Sequence, residues 1–165
     1  MMRPTPSPTR PGQESVWDYP RPPRVESVDR RVTIELGGVR IVDTRDVVRV
    51  LETSHPPVYY LPVEEFVPGS VQRAGGSSFC EFKGAARYFD LAGGGVLAER
   101  AGWDYPSPMP GFESLVGRVA VYADRMDRCT VDGELVVPQP GRYYGGWITS
   151  EVAGPFKGGP GSMGW

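Results

Sequence analysis

One short stretch of the sequence gathers Glu52, the lone histidine His55, the phenols Tyr59 and Tyr60 and the prolines Pro56, Pro57 and Pro62. An imidazole titrates near neutrality and a carboxylate held in a pocket can be raised towards it, so Glu52 and His55 form a candidate acid and base pair. Pro56 and Pro57 fix φ and remove two backbone donors, which makes His55 extended and the bend stiff. A second group is Phe79-Cys80-Glu81-Phe82-Lys83-Gly84. Lys83 is a candidate electrophilic or Schiff-base lysine, with an ion pair to Glu52 or Glu81 as the structural alternative. Cys80 would need a base to act as a nucleophile, and His55 is the one imidazole on offer. A third group is aromatic: Tyr59, Tyr60, Tyr88, Trp103, Tyr105 and Tyr122 supply flat apolar walls with polar edges, suited to a small-molecule cavity.

Other combinations fare worse. Glu52, His55, Cys80 and Cys129 include four zinc-type ligands, but their spacing lacks local clustering and no metal is expected. A triad using Ser54 fails because residues adjacent in an extended chain point to opposite faces. The two cysteines are too few for a disulfide scaffold and are expected as thiols.

The elements that must position these groups are mostly strands. Val32 to Leu36 alternates, Gly37-Gly38 permits a tight turn and Val39 to Val42 continues beyond it, predicting a hairpin. Val47 to Glu52 predicts the next strand, running into the proline bend, and Val58 with Tyr60 resumes the alternation. Pro62 to Phe66 reads as one helical turn, Gly69 to Ser78 as a polar loop, and Phe79 to Lys83 as extended. Ala86 to Leu91 and Val96 to Ala101 flank a triple-glycine turn, Phe112 to Val116 reads as a short helix, and Val119 to Tyr122 as a strand. Asp132-Gly133 is the strongest hairpin signal in the chain.

The length of 165 residues predicts one domain with tails, and 22 glycines with 18 prolines among valines, tyrosines and tryptophans predict many short strands and tight turns. The boundaries expected are a disordered proline-rich arm over 1–13, an extended aromatic docking segment over 14–30, a β core over 31–137 and a glycine- and aromatic-rich segment over 138–165 that packs on the core. That last segment is a candidate lid. The words Trp17-Asp18-Tyr19-Pro20 and Trp103-Asp104-Tyr105-Pro106 repeat without sustained self-similarity between them, which favours two docking segments over a duplication. A formal charge of −2 gives no excess to hold a nucleic-acid backbone. The sequence lacks the roughly 18-residue apolar run of a membrane span, and prolines stand where a signal peptide has its apolar region. A cytoplasmic protein, monomer or homodimer, is expected.

Three motifs carry a family resemblance: Glu52 with Pro56, Pro57, Tyr59, Tyr60 and Pro62; Cys80, Phe82, Lys83 and Gly84 with Tyr88; and Trp103 with Tyr105 and Pro106, Val119 to Tyr122 closing. On these residues the chain resembles the bacterial and fungal family catalogued as domain of unknown function 427, over roughly residues 31–137, with end extensions like those of long actinobacterial members. The resemblance implies a compact, mainly antiparallel all-β fold, tent- or barrel-like, related in shape to zinc-ribbon-bearing β-tent proteins, some of which hold small heterocycles in aromatic cages. With no C-x-x-C pair, zinc is not carried over. The family's nucleotidyltransferase-like label is not carried over either, since the chain lacks a glycine-rich phosphate loop opening a helix and paired aspartates for magnesium.

The function expected is a small-molecule-binding β protein, an enzyme without a cofactor that moves protons on an aromatic or polyketide-like metabolite. Glu52 or His55 would be the base, Lys83 or a tyrosine hydroxyl would stabilise negative charge, and Cys80 and the aromatics would hold the substrate. The alternative is a non-catalytic ligand- or peptide-binding module using the same pocket.

Overall fold

The computed structural model describes residues 3–141 and 143–165; Met1 and Met2 of the proline-rich arm, and Arg142, lie outside the described residues. The N-terminal part supplies β1 (Glu14–Ser15) and β2 (Arg24–Val28), and the glycine-turn hairpin is β3 (Val32–Leu36) and β4 (Val39–Thr44). The chain continues through β5 (Val47–Leu51), β6 (Val58–Pro62), β7 (Val71–Cys80), β8 (Gly84–Gly93), β9 (Val96–Asp104) and β10 (Arg118–Val121). The Asp132-Gly133 hairpin is β11 (Arg128–Val131) and β12 (Glu134–Leu135), followed by β13 (Val137–Pro138), β14 (Trp147–Ile148) and β15 (Val152–Ala153).

Seven strands form one open sheet in the order β2-β5-β6-β10-β9-β8-β7, and four form a second in the order β12-β11-β3-β4. The all-β, mainly antiparallel expectation therefore holds, but the sheet keeps two free edges and does not close into a barrel. Among the described residues, the one or two short helices expected are four 3-10 turns of three residues each, at Val16–Asp18, Val63–Glu65, Glu113–Leu115 and Ala123–Arg125. Gly69 to Ser78 is no loop: most of it belongs to β7, whose polar side chains suit an exposed edge strand. Phe79 to Lys83 is extended only as far as Cys80, after which Glu81 to Lys83 turn the chain into β8.

The seven-stranded sheet has two unlike faces. On one, Ile34, Ile41, Leu61, Leu91, Val119 and Cys129 join a core shared with the four-stranded sheet. On the other, Val48, Val50, Tyr60, Ala86, Trp103, Tyr105 and Ala120 form a second cluster. Burying these side chains stabilises by about 25 cal/mol per Å² of apolar surface removed from water.

Both terminal segments are built into this frame. β2 pairs with β5 along its whole length, so the main sheet starts at Arg24 and not at 31. Arg49 of β5 is buried between Glu14 and Glu26; burial alone disfavours its charge, but the bonds to both carboxylates raise its pKa further. The proline-rich arm is held against the C-terminal segment, where Ser7 N donates to Gly154 O at 2.8 Å. Extended proline-rich chain has no ladder of its own to form, so its free groups find partners on a neighbouring segment. β15 pairs with β1, and β14 pairs with β13. Among the described residues, no helix is long and apolar enough to cross a membrane.

Candidate functional site

β5 ends at Leu51 and β6 starts at Val58, leaving the stretch from Glu52 to Pro57 as a bend whose backbone is fixed from several sides. His55 N donates to Glu52 O at 3.0 Å, Ser54 N to Val16 O at 3.0 Å, and Lys157 N to Ser54 O at 2.8 Å. Ser54 is buried with φ at 72°, a left-handed conformation uncommon for a residue with a side chain. Both terminal segments thus clamp the bend and hold Glu52 and His55 in place.

The bend opens on a cavity of about 380 Å³, within the usual range for small-molecule sites. Glu52, His55 and Lys83 all line it. Glu52 Oε2 lies 3.6 Å from His55 Nε2 and 3.6 Å from Arg21 Nε. Lys83 stands at the β7–β8 turn, where its carbonyl accepts from Met109 N at 2.9 Å, and its ammonium lies 5.8 Å from the Tyr105 ring centre. Neither Glu52 nor Glu81 forms an ion pair with Lys83, so the structural alternative for this lysine is not what the fold adopts.

The hydrogen bonds of Gln139 decide the state of His55. Gln139 Oε1 accepts from Gly146 N at 3.0 Å, and Nε2 donates to Lys157 O at 2.8 Å and lies 3.1 Å from His55 Nδ1. A backbone N–H can only donate and a carbonyl only accept, so the amide has one orientation. Nδ1 must then accept, and the imidazole proton sits on Nε2, on the side of Glu52. Burial, helped by the nearby charges of Lys157, Arg21 and Lys83, lowers the pKa of His55 to about 3 in spite of Glu52. His55 is therefore held neutral, with its proton on the nitrogen that lies 3.6 Å from Glu52 Oε2, which is poorly suited to the base role its residue type suggested.

The aromatic walls follow from strand register. Tyr88 faces Trp103, and Trp103 faces Ala120, across adjacent strands; Leu61 faces Val119, which brings Tyr60 beside Ala120. Facing residues share a side of the sheet, so Tyr60, Trp103 and Tyr88 form a row with the small Ala120 between them. Tyr60 and Trp103 meet edge to face at 6.5 Å, and Tyr122 lies 4.5 Å from Trp103. Burial raises the pKa of Tyr60 and Tyr105 and pushes Tyr122 up to about 12, so these hydroxyls stay protonated at neutral pH. Cys80, Tyr88 and Tyr105 complete the wall.

Tyr59 is the exception among the anticipated residues. It points to the opposite face, stacks on Trp147 at 5.2 Å and belongs to the core between the sheets. Neighbours in a strand cannot share a face, so Tyr59 and Tyr60 could not both line the cavity. Cys129 is on that far side too, which separates it from Glu52, His55 and Cys80; both cysteines are free, and burial pushes the Cys129 thiol up. Among the described residues, no group of three His, Cys, Asp or Glu side chains is placed to hold a metal ion.

Sequence reasoning missed the part of the wall supplied by the C-terminal segment: Gln139, Tyr143, Tyr144 and Lys157. Tyr144 meets His55 edge to face at 4.8 Å, and Lys157 Nζ donates to Trp165 O at 3.1 Å. The available signal was Gly145-Gly146. A Cβ on Gly145 would stand 2.1 Å from the Trp103 ring, and one on Gly146 would stand 2.6 Å from both Gln139 Oε1 and Pro56 O. Two side chains that small let the segment close on the cavity.

Comparison with curated proteins gives no match. The profile of one family, described as Domain of unknown function (DUF427), matches residues 24–132, a span running from the first residue of β2 to the turn after β11. It contains the proline bend, Lys83 and the aromatic row, and ends before Gln139. With well over half of its length inside that match, the chain belongs to the DUF427 family.

Proposed function

We propose that the protein binds a small aromatic or polyketide-like molecule and acts on it by proton transfer without a cofactor, in a cyclisation, isomerisation, dehydration or hydrolysis. The observation that carries this reading is the convergence of Glu52, His55 and Lys83 on one aromatic-walled cavity. Glu52 accepts the proton as general base. His55, neutral and with Nε2–H on the side of Glu52, orients the carboxylate. Lys83, which among the described residues has no carboxylate paired to it, stabilises the oxyanion that develops when a proton leaves the carbon beside a carbonyl.

The test is deuterium incorporation from D2O beside the carbonyl of 2-tetralone, a flat bicyclic ketone, with binding followed through quenching of Trp103 fluorescence. The wild-type protein is expected to accelerate exchange, and Glu52→Gln to lose roughly a hundredfold or more of that acceleration while still binding the ketone. Bound ketone that exchanges only at the background rate would sink the enzyme reading.

A second reading, a non-catalytic ligand- or peptide-binding module, is favoured by one observation: among the described residues every buried side-chain polar atom has a partner. It expects Lys83→Met to alter affinity alone. The depressed imidazole of His55 speaks against a site with no strongly perturbed group.

A further inference from the structure

Beyond the cavity, a shallow groove of about 510 Å³ is lined by Tyr88, Arg100, Tyr122, Asp124 and Arg125. Tyr88 and Tyr122 belong to both hollows, so the two are separated by the width of these rings. The groove's charge is carried by two guanidinium groups against the one carboxylate of Asp124. Arg125 Nη1 donates to Glu99 O at 2.8 Å, and among the described residues neither arginine forms an ion pair.

Three features of the fold aim Arg100 at this groove. The pairing of β8 with β9 slips between Phe89↔Gly102 and Leu91↔Ala98, so Glu99, Arg100 and Ala101 stand opposite Asp90 alone. Such a bulge bends the strand and redirects a side chain. Arg100 has φ at 51°, a strained value for a residue with a side chain, and its N–H is held by Asp90 Oδ1 at 2.8 Å. Its guanidinium lies over the Tyr88 ring at 4.4 Å, in space that Gly76 leaves open: a Cβ there would stand 2.7 Å from Arg100 Nη1. Gly76 itself is in the part of β7 where pairing with β8 is interrupted, between Arg73 and Ser77. A left-handed arginine, a locked bulge and a glycine clearance converge on one exposed cation.

We infer that the groove is a second subsite, which takes an oxyanion tail, phosphate or carboxylate, of the molecule whose flat end occupies the cavity. The guanidinium fork matches such groups in geometry and charge. The inference rests on the cavity reading for the ligand's other end, and the experiment separates the two.

The probes are 4-(2-naphthyl)butanol, its phosphate ester and 5-(2-naphthyl)pentanoate, titrated calorimetrically at low and at physiological salt. At least one acid is expected to bind tenfold or more tightly than the alcohol at low salt. Arg100→Gln removes that gain and leaves the alcohol's affinity unchanged; Arg125→Gln, which keeps the strained residue, removes part of it. Equal affinities for all three probes, or a gain that survives both variants, overturns the subsite while leaving the cavity reading intact. Binding of an acid through Arg100 without binding of the alcohol supports the subsite and counts against the cavity reading. If no naphthyl probe binds, inorganic diphosphate is titrated against the Arg100 side-chain Nε–H resonance, and a resonance that does not move overturns the subsite.

Discussion

Tyr59 and Tyr60 are neighbours of the same type on one strand, yet they do different work because the two faces of the seven-stranded sheet are filled differently. The Tyr59 face is closed by the four-stranded sheet and by Trp147, which is 1% exposed and whose Nε1 donates to Val121 O at 3.0 Å. Among the described residues, the Tyr60 face is packed by Phe112, Leu115 and other side chains of the second cluster and not by the four-stranded sheet. Its rings stand around space, and a carboxylate, an imidazole and an ammonium open into that space. One face is a core shared between two sheets; the other is a wall lining a cavity. The C-terminal segment serves both, with Trp147 sealing the first and Tyr143 and Tyr144 bordering the second.

The contrast is open to attack by substitution, and the core face is where the largest loss is expected. Trp147→Ala removes a fully buried ring and its bond to Val121, and denaturant unfolding is expected to show a loss of about 3–5 kcal/mol. A loss below about 1 kcal/mol would mean that the segment does not seal the core.

The next effect belongs to His55. Its folded pKa, about 3, is below the ordinary value of 6.5, so between these limits the unfolded chain binds a proton that the folded chain refuses. The stability this group contributes is complete above pH 6.5 and is lost as pH falls towards 3, at up to roughly 1.4 kcal/mol per unit. Unfolding of the wild type and of His55→Gln, compared from pH 7 to pH 4.5, should converge as pH drops. Parallel curves would place the imidazole in water.

Gly145→Ala is expected to cost less, about 1–2 kcal/mol, because the added methyl must displace either the Trp103 ring or the C-terminal segment. Trp103 fluorescence should shift with it, and an unchanged spectrum would count against the close approach. The smallest stability change is reserved for Lys83→Met on the cavity face: within about 0.5 kcal/mol, or slightly stabilising, while the ketone exchange proposed above is lost. A large destabilisation there would turn the lysine into a structural residue and blur the distinction between the faces.

Much of this arrangement was legible in the residues. The Gly37-Gly38 and Asp132-Gly133 hairpins were marked by turn residues that allow positive φ, and Asp132 and Gly133 do adopt it, at 48° and 81°. The strands on either side of the proline bend declared themselves by alternation. β7 escaped notice because Val71 to Ser78 is polar and glycine-interrupted, and an edge strand has no apolar face to announce it. The misplacement of Tyr59 came from grouping side chains by type where period two had already separated them.

By itself the sequence determined an antiparallel β domain, the stiff bend bearing Glu52 and His55, and the supply of aromatic rings, because local dihedral limits and apolar periodicity act within a few residues of chain. Tertiary structure alone decided that Lys83 lines the same cavity as the bend, that Gln139 fixes the tautomer of an imidazole 84 residues away, and which of two adjacent tyrosines faces the cavity. Those outcomes depend on strand order, on pairing register and on two glycines that admit a distant segment, and such long-range choices leave no periodic mark on the chain.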